Sequence, residues 1–502
     1  MEGLANLIIG FEIALSGENL MFALIGSIVG TMIGVLPGVG PAAGLAILIP
    51  LTFHLPATGA IIMMAAIYYG AQYGGTITSV LLNVPGEAST AVTCIDGYQM
   101  AKNGRAGVAL AMAAIGSFIG GTIAIFGLVF AAPPLARMAL QFGPPEFFAL
   151  MVLGISLVMG LAGKSTVKAL MMGAFGLLLA TVGMDPAMGS RRFTFGQAEL
   201  LSGLDFVPVI MGLFGVGDVL LNAESEVRRV FDTKMSSLIP SRQDIRDSIW
   251  PVLRGTGVGF FLGLIPGVGA TVASFMSYVA ERKLSKYPDK FGTGVLEGVV
   301  GPETANNSYS NAALIPLFTL GVPGSATVAV LMGAFMMNGL TPGPFLFVEH
   351  PEFVWSVIAS LYIGNVMLLI LNLPLIRLWV SILKVPYSIL FALILAFTLI
   401  GAYSVDNSVF DVGVLVFFGV LGYFFKKLDF PLAPVALTLI LGPLMEKGLR
   451  ASLEMSQGDF SIFLSSPIAL ALLLTAFFVL ASSGLRFLPF GIKDIRSEDA
   501  EI

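Results

Sequence analysis

The sequence predicts an all-α polytopic membrane protein of about 12 spans, arranged as two inverted-topology repeats with broken or re-entrant helices. Composition indicates the membrane class, because the 502 residues are 56% hydrophobic and 11% charged, whereas soluble proteins have about 25% charged residues. Apolar stretches long enough to cross about 30 Å of hydrocarbon lie at 106–132, 146–163, 204–221, 353–376, 385–403 and 461–485. A repeated pair of glycine–proline motifs indicates the broken helices.

The N-terminus and the single cysteine narrow the class further. The first 20 residues, MEGLANLIIGFEIALSGENL, have no basic start and include Glu2 and Glu12, so they are not typical of a cleaved secretory signal. We therefore expect a multi-pass protein of a bacterial inner (cytoplasmic) membrane. Cys94 is the only cysteine, which excludes a disulfide framework and a cysteine-based metal site.

The first repeated motif is PGVG, at 37–40 and again at 266–269. Residues 26–40 align with 255–269, a shift of 229, and eight of the 15 positions are identical. Glycines at every fourth position precede the motif in both copies, a spacing that lets helix backbones approach closely in lipid. Proline removes a backbone donor and glycine loosens the chain, so each copy predicts an interrupted membrane helix.

The second repeated motif is VPG, and the charges around both motifs predict the orientation. Residues 84–92 align with 322–330, a shift of 238, with six of nine positions identical. Lys102 and Arg105 follow the first VPG, whereas the basic run 281–290 follows the second PGVG. Basic loops favour the cytoplasm, so corresponding loops lie on opposite sides and the two copies are predicted to be inverted.

The repeat divides the chain into five predicted parts. They are a short apolar or interfacial segment at 1–19, a first inverted repeat at 20–221, a polar cytoplasmic linker at 222–249, a second inverted repeat at 250–450, and a C-terminal helix with a cytoplasmic tail at 451–502.

The interrupted helices predict a binding site near the middle of the membrane. Non-helical backbone is tolerated there only inside protein or beside a watery cavity, and paired breaks are typical of transporters. Freed carbonyl groups suit a small cation, and we expect sodium ligands at Pro37, Gly38, Gly40, Pro266, Gly267, Gly269 and Thr304. Helix N-termini, hydroxyls and amides suit an anion, and we expect substrate contacts from Asn83, Pro85, Gly86, Ser89, Thr90, Asn306, Asn307, Ser310, Pro323, Gly324, Ser325 and Thr327.

The absence of basic residues at these motifs predicts coupling to a cation. No Lys or Arg occurs within 26–92 or 294–340, and burying an isolated anion is very costly. A co-bound Na⁺ relieves part of that cost, so we expect Na⁺ as the coupling ion, with no other metal and no cofactor. Proton coupling through Glu87 or Glu303 is the alternative, since an intramembrane carboxylate is a functional candidate by default.

The phrases GVLPGVGP, GLIPGVGATVASF and GPETANNSYSNAALIPLFTLGVPGSATVAVLMGAF resemble the large membrane subunit, TctA, of the tripartite tricarboxylate transporters. The resemblance covers roughly residues 20–450. It implies a small TctB-like membrane subunit and a periplasmic TctC-like solute-binding protein as partners. It also implies uptake of carboxylates such as citrate by Na⁺ symport, through an elevator-type motion of the domain that holds the site.

Other functional classes fit the sequence less well. GLAGKST at 160–166 lacks the first glycine of a phosphate-binding loop, because position 158 is valine, and no G-x-S-x-G or H-E-x-x-H motif occurs. We therefore expect no enzymatic activity. A stand-alone anion channel stays open as an alternative, because glycine-rich breaks also build selectivity filters.

Overall fold

The computed structural model describes residues 2–36, 39–161, 165–185, 188–224, 238–376, 378–379 and 387–485. Helices make up most of these residues. In the first half they are α1 (Glu2–Ala14), α2 (Gly17–Val35), α3 (Pro41–Leu48), α4 (Ala57–Leu82), α5 (Thr93–Lys102), α6 (Ala106–Ala139), α7 (Pro144–Leu161), α8 (Thr166–Ala180) and α9 (Phe206–Ala223). A two-residue antiparallel hairpin, Gly183–Met184 with Arg191–Arg192, lies between α8 and α9.

The second half contains a similar series of helices. They are α10 (Arg242–Gly263), α11 (Gly269–Leu284), α12 (Glu297–Ala312), α13 (Leu314–Leu320), α14 (Ala326–Met337), α15 (Leu346–Glu349), α16 (Pro351–Asn372), α17 (Tyr387–Asp406), α18 (Val409–Lys427), α19 (Ala433–Met455), α20 (Ile462–Ser465) and α21 (Pro467–Leu485). Helix α10 begins inside the segment predicted as linker, because Ser241 and Asp244 form a reciprocal capping box there.

The all-α membrane class is confirmed. Among the described residues, five helices are long and apolar enough to cross a membrane: Gly17–Val35, Ala106–Ala139, Phe206–Ala223, Pro351–Asn372 and Val409–Lys427. Shorter apolar helices accompany them, including Pro144–Gly160, Thr166–Ala180 and Pro467–Ser482.

The helices pack in two groups. The first group contains α1, α2, α4, α5, α6, α10, α11, α12 and α16, and the second contains α7, α8, α9, α17, α18, α19 and α21. Helices α3 and α14 pack against each other and also contact both groups. Helix α3 follows the first PGVG and α14 follows the second VPG, so these two motif copies are located where the groups meet.

Glycines allow the close packing of α2 on α4 and of α10 on α12. A Cβ atom added to Gly26, Gly30 or Gly34 would overlap the carbonyl oxygens of Met63, Ile67 and Ala71 respectively. A Cβ atom added to Gly255, Gly259 or Gly263 would crowd the carbonyl oxygens of Gly301, Ala305 and Tyr309. The glycines of the two series are related by the shift of 229 residues, and the carbonyl groups that they approach are related by the shift of 238.

Buried polar contacts tie the two halves together at the end that has the basic loops. The Asp96 carboxylate accepts hydrogen bonds from the backbone N–H groups of Gly292, Gly294 and Val295 at 2.8–2.9 Å. It also accepts one from the Tyr278 hydroxyl at 2.9 Å. Asp96 is fully buried, so these four bonds satisfy a charge that burial would otherwise make costly.

Candidate functional site

Both PGVG motifs lie between two helices. Helix α2 ends at Val35 before α3 begins at Pro41, and α10 ends at Gly263 before α11 begins at Gly269. Gly267 and Gly269 have φ angles of 85° and 79°, values that glycine adopts without steric cost. The break predicted at the second copy is thereby confirmed. At the first copy, Pro37 and Gly38 lie outside the described residues, and Gly40 has a φ angle of 48°.

Tyr309 joins the second PGVG to the second VPG. Its hydroxyl donates to the carbonyl oxygen of Gly324 at 2.9 Å and accepts a bond from the N–H of Gly269 at 3.0 Å. The N–H of Gly267 donates to the same Gly324 carbonyl at 2.8 Å. Pro266 lies half-buried beside them. Two motifs more than 50 residues apart in sequence are thus held in direct contact.

The two VPG loops begin in the same backbone conformation. Asn83 ends α4 with a φ angle of 56°, and Gly321 ends α13 with a φ angle of 67°. In the first loop Asn83 and Pro85 are exposed, while Gly86 is buried against the carbonyl oxygen of Gly34. In the second loop Pro323 and Gly324 are buried and Ser325 caps α14, accepting a bond from the N–H of Val328 at 3.3 Å.

The motifs of one half also contact those of the other half. Helix α11, which follows the second PGVG, packs against the turn Ala88–Thr90 in the first VPG loop. Helix α3, which follows the first PGVG, packs against α14 in the second VPG loop. The structure therefore brings together, in the interior, segments that the sequence repeats.

A buried polar cluster lies behind the first VPG loop. The Nδ2 atom of Asn306 donates to Glu87 Oε1 at 3.2 Å. The Gln72 amide lies between them: with its nitrogen turned toward Asn306 it donates to Asn306 Oδ1 at 2.6 Å and to Glu87. Ser89 is 3.1 Å from the same amide. These four residues are all buried, and we call them the Glu87 cluster.

A second, uncharged cluster corresponds to the first at the 238-residue shift. Tyr68 corresponds to Asn306, Ser310 to Gln72, and Ser325 to Glu87. The Tyr68 hydroxyl lies beside Ser310 and Ser325, in the electric field of the Glu87 carboxylate. The Ser310 hydroxyl also donates to the carbonyl oxygen of Asn306 at 3.0 Å. Both clusters therefore belong to one continuous polar region, which contains one carboxylate at Glu87.

A second carboxylate, Glu303, is buried on the α4 and α5 side of α12. Its Oε2 atom accepts a bond from the Thr76 hydroxyl at 2.6 Å, and its Oε1 atom accepts one from Thr93. Glu303 is 1% exposed. None of the ion pairs among the described residues includes Glu303 or Glu87. Both acids are therefore held by hydroxyls and amides alone.

Two of the predicted site residues on α12 face α6 instead of the clusters. Asn307 donates to the Ser117 hydroxyl at 2.8 Å, and its Oδ1 atom is buried without a hydrogen bond. Thr304 packs against Gly116 and Gly120, and its hydroxyl is also buried without a partner. The predicted sodium ligand Thr304 is thus on a different face of α12 from Tyr309, which contacts the break.

Comparison with known proteins establishes the family. The sequence profile described as "Tripartite tricarboxylate transporter TctA family" matches residues 20–437. The chain belongs to the TctA family. It is 48% identical over 474 residues to an Agrobacterium vitis protein described as an uncharacterized 52.8 kDa protein in the TAR-I ttuC′ 3′ region, with 94% of each chain covered. A second Agrobacterium vitis protein, in the TAR-II ttuC′ 3′ region, is 47% identical over 215 residues, which are 43% of this chain and 89% of that protein.

No solved structure matches this TctA-family chain. Family membership confirms the resemblance that the motifs indicate, and it identifies the chain as a subunit of a tricarboxylate transporter that spans a membrane several times.

Some predicted residues of the TctA-family site meet and others do not. Ser89, Asn306, Ser310 and Ser325 converge in the polar region. Thr90 instead closes its own turn, donating to the carbonyl oxygen of Glu87 at 3.0 Å. Thr327 lies half-buried in the first turn of α14.

The structure also adds residues that the motif comparison misses. These residues contact predicted site residues or Glu303, and they are Tyr309, Tyr68 and Thr93. Each lies outside the two pairs of aligned segments or aligns with a residue of different chemistry. The 238-residue shift offers one signal for them, since it pairs Tyr68 with Asn306. Chemically, the polar region offers hydroxyls, amides and the Glu87 carboxylate, and Glu303 lies on another side of α12. These groups suit a carboxylate substrate together with a cation or a proton.

Proposed function

We propose that this chain is the transporting membrane subunit of a tripartite system that takes up di- or tricarboxylates such as citrate together with Na⁺. A periplasmic solute-binding protein delivers the substrate, and a small membrane subunit completes the assembly. The inner membrane is the location that fits this partnership, and no chemical conversion of the substrate is involved.

The substrate is proposed to bind between the two VPG loops. The contacts of α11 with the first loop and of α3 with the second bring both loops to one region. Asn306, Gln72, Ser310 and Ser325 supply neutral donors there, and the N-terminus of the 12-residue helix α14 adds partial positive charge. Several such donors together replace the arginine clamps that the motif segments lack.

The repeated glycine contacts support two equivalent halves, and the loop charges support their inversion. The glycines of α2 approach carbonyl groups of α4, and the aligned glycines of α10 approach the aligned carbonyl groups of α12. Two structurally equivalent halves with opposite predicted loop charges are the arrangement from which transporters obtain alternating access.

The two helix groups suggest which parts move. The clusters and both carboxylates belong to α4, α12 and the loops of the first group, whereas α7, α8 and α19 pack in the second. An elevator motion would slide the first group past the second, with α3 and α14 at the boundary.

Na⁺ coupling is proposed because a carboxylate substrate must share this region with Glu87. A cation relieves the repulsion between the two negative groups. The carbonyl groups of the breaks, including those near Gly40, Gly267 and Gly269, are candidates for binding it. Proton coupling is the second candidate, favoured because Glu87 and Glu303 are buried and neither has a basic partner in the part of the chain that the structure describes.

Reconstitution in liposomes with both partner subunits tests the proposal. Labelled citrate uptake is expected to be saturable, to require the soluble binding protein and to follow an imposed Na⁺ gradient. Uptake that ignores Na⁺ and follows a pH gradient would establish proton coupling. Citrate conductance without the binding protein would establish a channel.

A neighbouring pair of asparagines provides a matched control. Asn306→Ala removes a donor from the polar region and is expected to raise the KM for citrate about 2- to 10-fold, the effect of one neutral hydrogen bond. Asn307→Ala removes an amide that faces Ser117 and is expected to leave the citrate KM at saturating Na⁺ unchanged. Equal KM values in both variants would contradict the proposed substrate position.

A further inference from the structure

A small cavity lies between α4, α6 and the end of α16. It holds about 10 Å³, space for roughly one water-sized particle. Its polar lining consists of Tyr73, Thr76, Ser117 and Asn372, and its remaining lining is apolar. Among the described residues, none that belongs to a VPG loop or to a PGVG break lines this cavity.

Asn372 lines this cavity and has an unsatisfied side-chain oxygen. Its Nδ2 atom donates to the carbonyl oxygen of Leu368 at 2.9 Å, and its Oδ1 atom is buried without any donor. Asn372 is 3% exposed. An unsatisfied buried acceptor destabilises the folded chain, and a cation bound to this oxygen would satisfy it.

The other polar groups of the lining are oxygens too. Thr76 and Ser117 contribute hydroxyls on opposite walls, and the Tyr73 hydroxyl is fixed by a 2.7 Å bond to Asn365 Oδ1. Oxygen donors without sulfur or imidazole suit hard cations. The small volume excludes a ligand larger than a single ion or water.

Charge balance is available one hydrogen bond away. Thr76, in the cavity wall, donates to Glu303, which is buried and makes no ion pair among the described residues. Ser117, in the opposite wall, donates to the backbone carbonyl of Glu303 at 3.2 Å. A buried carboxylate of this kind is stabilised by a cation nearby.

We propose that this cavity is the binding site of the coupling Na⁺, with oxygens of Thr76, Ser117 and Asn372 as ligands. Glu303 balances the charge through Thr76 and is a positioning residue. The proposal rests on the proposed function for the identity of the ion, and it locates that ion away from the PGVG breaks where the sequence predicts it. Helices α4 and α6 both contribute ligands to this site, so Na⁺ binding would fix the position of α4. Helix α4 also contains Gln72 of the Glu87 cluster.

Two substitutions with matched controls test the site. Asn372→Leu replaces the amide by methyl groups of similar volume, and Asn338→Leu is its control, because Asn338 makes the same bond to the carbonyl four residues earlier. Thr76→Val removes one hydroxyl from the cavity wall. Its control is Thr438→Val on α19, where the hydroxyl donates to the carbonyl oxygen of Pro434 in the same helix.

In liposomes with both partners, Asn372→Leu and Thr76→Val are expected to raise the Na⁺ concentration for half-maximal citrate uptake about 10- to 100-fold. The citrate KM at saturating Na⁺ and both control variants are expected to match the wild type. Transport by both test variants with the wild-type Na⁺ dependence would overturn the site.

A second readout needs no transport. Replacing choline by Na⁺ is expected to raise the unfolding temperature of the purified wild-type chain, because a ligand stabilises the state that binds it, and Asn372→Leu is expected to abolish this rise. An equal rise in the variant would overturn the site. If Na⁺ raises the unfolding temperature of the wild type but not of the variant, and the wild type transports no citrate, the Na⁺ site is supported and the transport function is refuted. Citrate uptake without any Na⁺ effect would refute both the site and Na⁺ coupling, but not carboxylate transport.

Discussion

The Tyr309 hydroxyl and the Gly324 carbonyl oxygen are 2.9 Å apart, in a bond that fastens the second VPG loop to α12. The same hydroxyl accepts the Gly269 N–H, so one side chain satisfies backbone groups of both motifs in this half. At the 238-residue shift the corresponding residue is Ala71, which has no hydroxyl. The second half is therefore held together by a contact that the first half cannot make.

Removing this hydroxyl is expected to weaken the second break. Tyr309→Phe leaves the part-buried Gly269 N–H without its partner, at a cost of about 1–3 kcal/mol, while the Gly324 carbonyl keeps its bond from the Gly267 N–H. We expect a lower unfolding temperature and reduced citrate uptake. Tyr287→Phe, at an exposed tyrosine, is the control. An unchanged unfolding temperature in Tyr309→Phe would show that the two hydrogen bonds of the Tyr309 hydroxyl contribute nothing to stability.

Asn83 can be tested for its side chain and its backbone separately. Its φ angle of 56° costs most residues about 1–2 kcal/mol, but glycine nothing. If the Asn83 amide binds substrate, Asn83→Gly and Asn83→Ala both lose uptake, and only the alanine variant is also less stable. We expect this result from uptake assays and unfolding temperatures. Full uptake in Asn83→Gly would limit Asn83 to a backbone role.

The sequence predicts the breaks well because their signals are local. PGVG combines two residues that both disfavour a helix, and its second copy interrupts the chain between Gly263 and Gly269. The repeated order of PGVG and VPG indicates the duplication, whereas the contact between Gly267 and Gly324 is a feature of the tertiary fold. The structure extends this prediction with the left-handed residues Asn83 and Gly321, which occupy equivalent positions.

The faces of α12 could not be predicted in the same way. Its polar residues Glu303, Thr304, Asn306 and Asn307 surround the helix, so no hydrophobic periodicity indicates which side faces the loops. Only packing against α6 separates Thr304 and Asn307 from Asn306. Glu303 meets Thr93 across 210 residues, a pairing that depends on the tertiary fold and leaves no local signal.

Glu87 is expected to make uptake sensitive to pH. Its carboxylate lies with Gln72 and Asn306, and Glu303 is the other acid whose charge acts on it. A charged Glu87 repels a carboxylate substrate, so protonation favours binding. We expect uptake at fixed Na⁺ to rise as the pH falls, and Glu87→Gln to remove the rise. Glu87→Gln keeps an oxygen that can accept from Asn306 and Gln72. Protonation of citrate itself affects the wild type and the variant equally, so the difference between their pH profiles reports on Glu87. Identical pH profiles would contradict this role.

The glycine stripe of α10 allows a test within one helix. A Cβ atom on Gly259 would overlap the carbonyl oxygen of Ala305, whereas one on Gly257 would meet nothing within 4 Å. Gly259→Ala should force α10 away from α12, at a cost of about 1–3 kcal/mol for overpacking. Gly257→Ala should be neutral or slightly stabilising, because alanine favours a helix over glycine. Unfolding temperatures and uptake measure both. If the internal repeat is real, Gly30→Ala, at the corresponding position facing Ile67, should reproduce the Gly259→Ala defect, and a harmless Gly30→Ala would argue against equivalent halves.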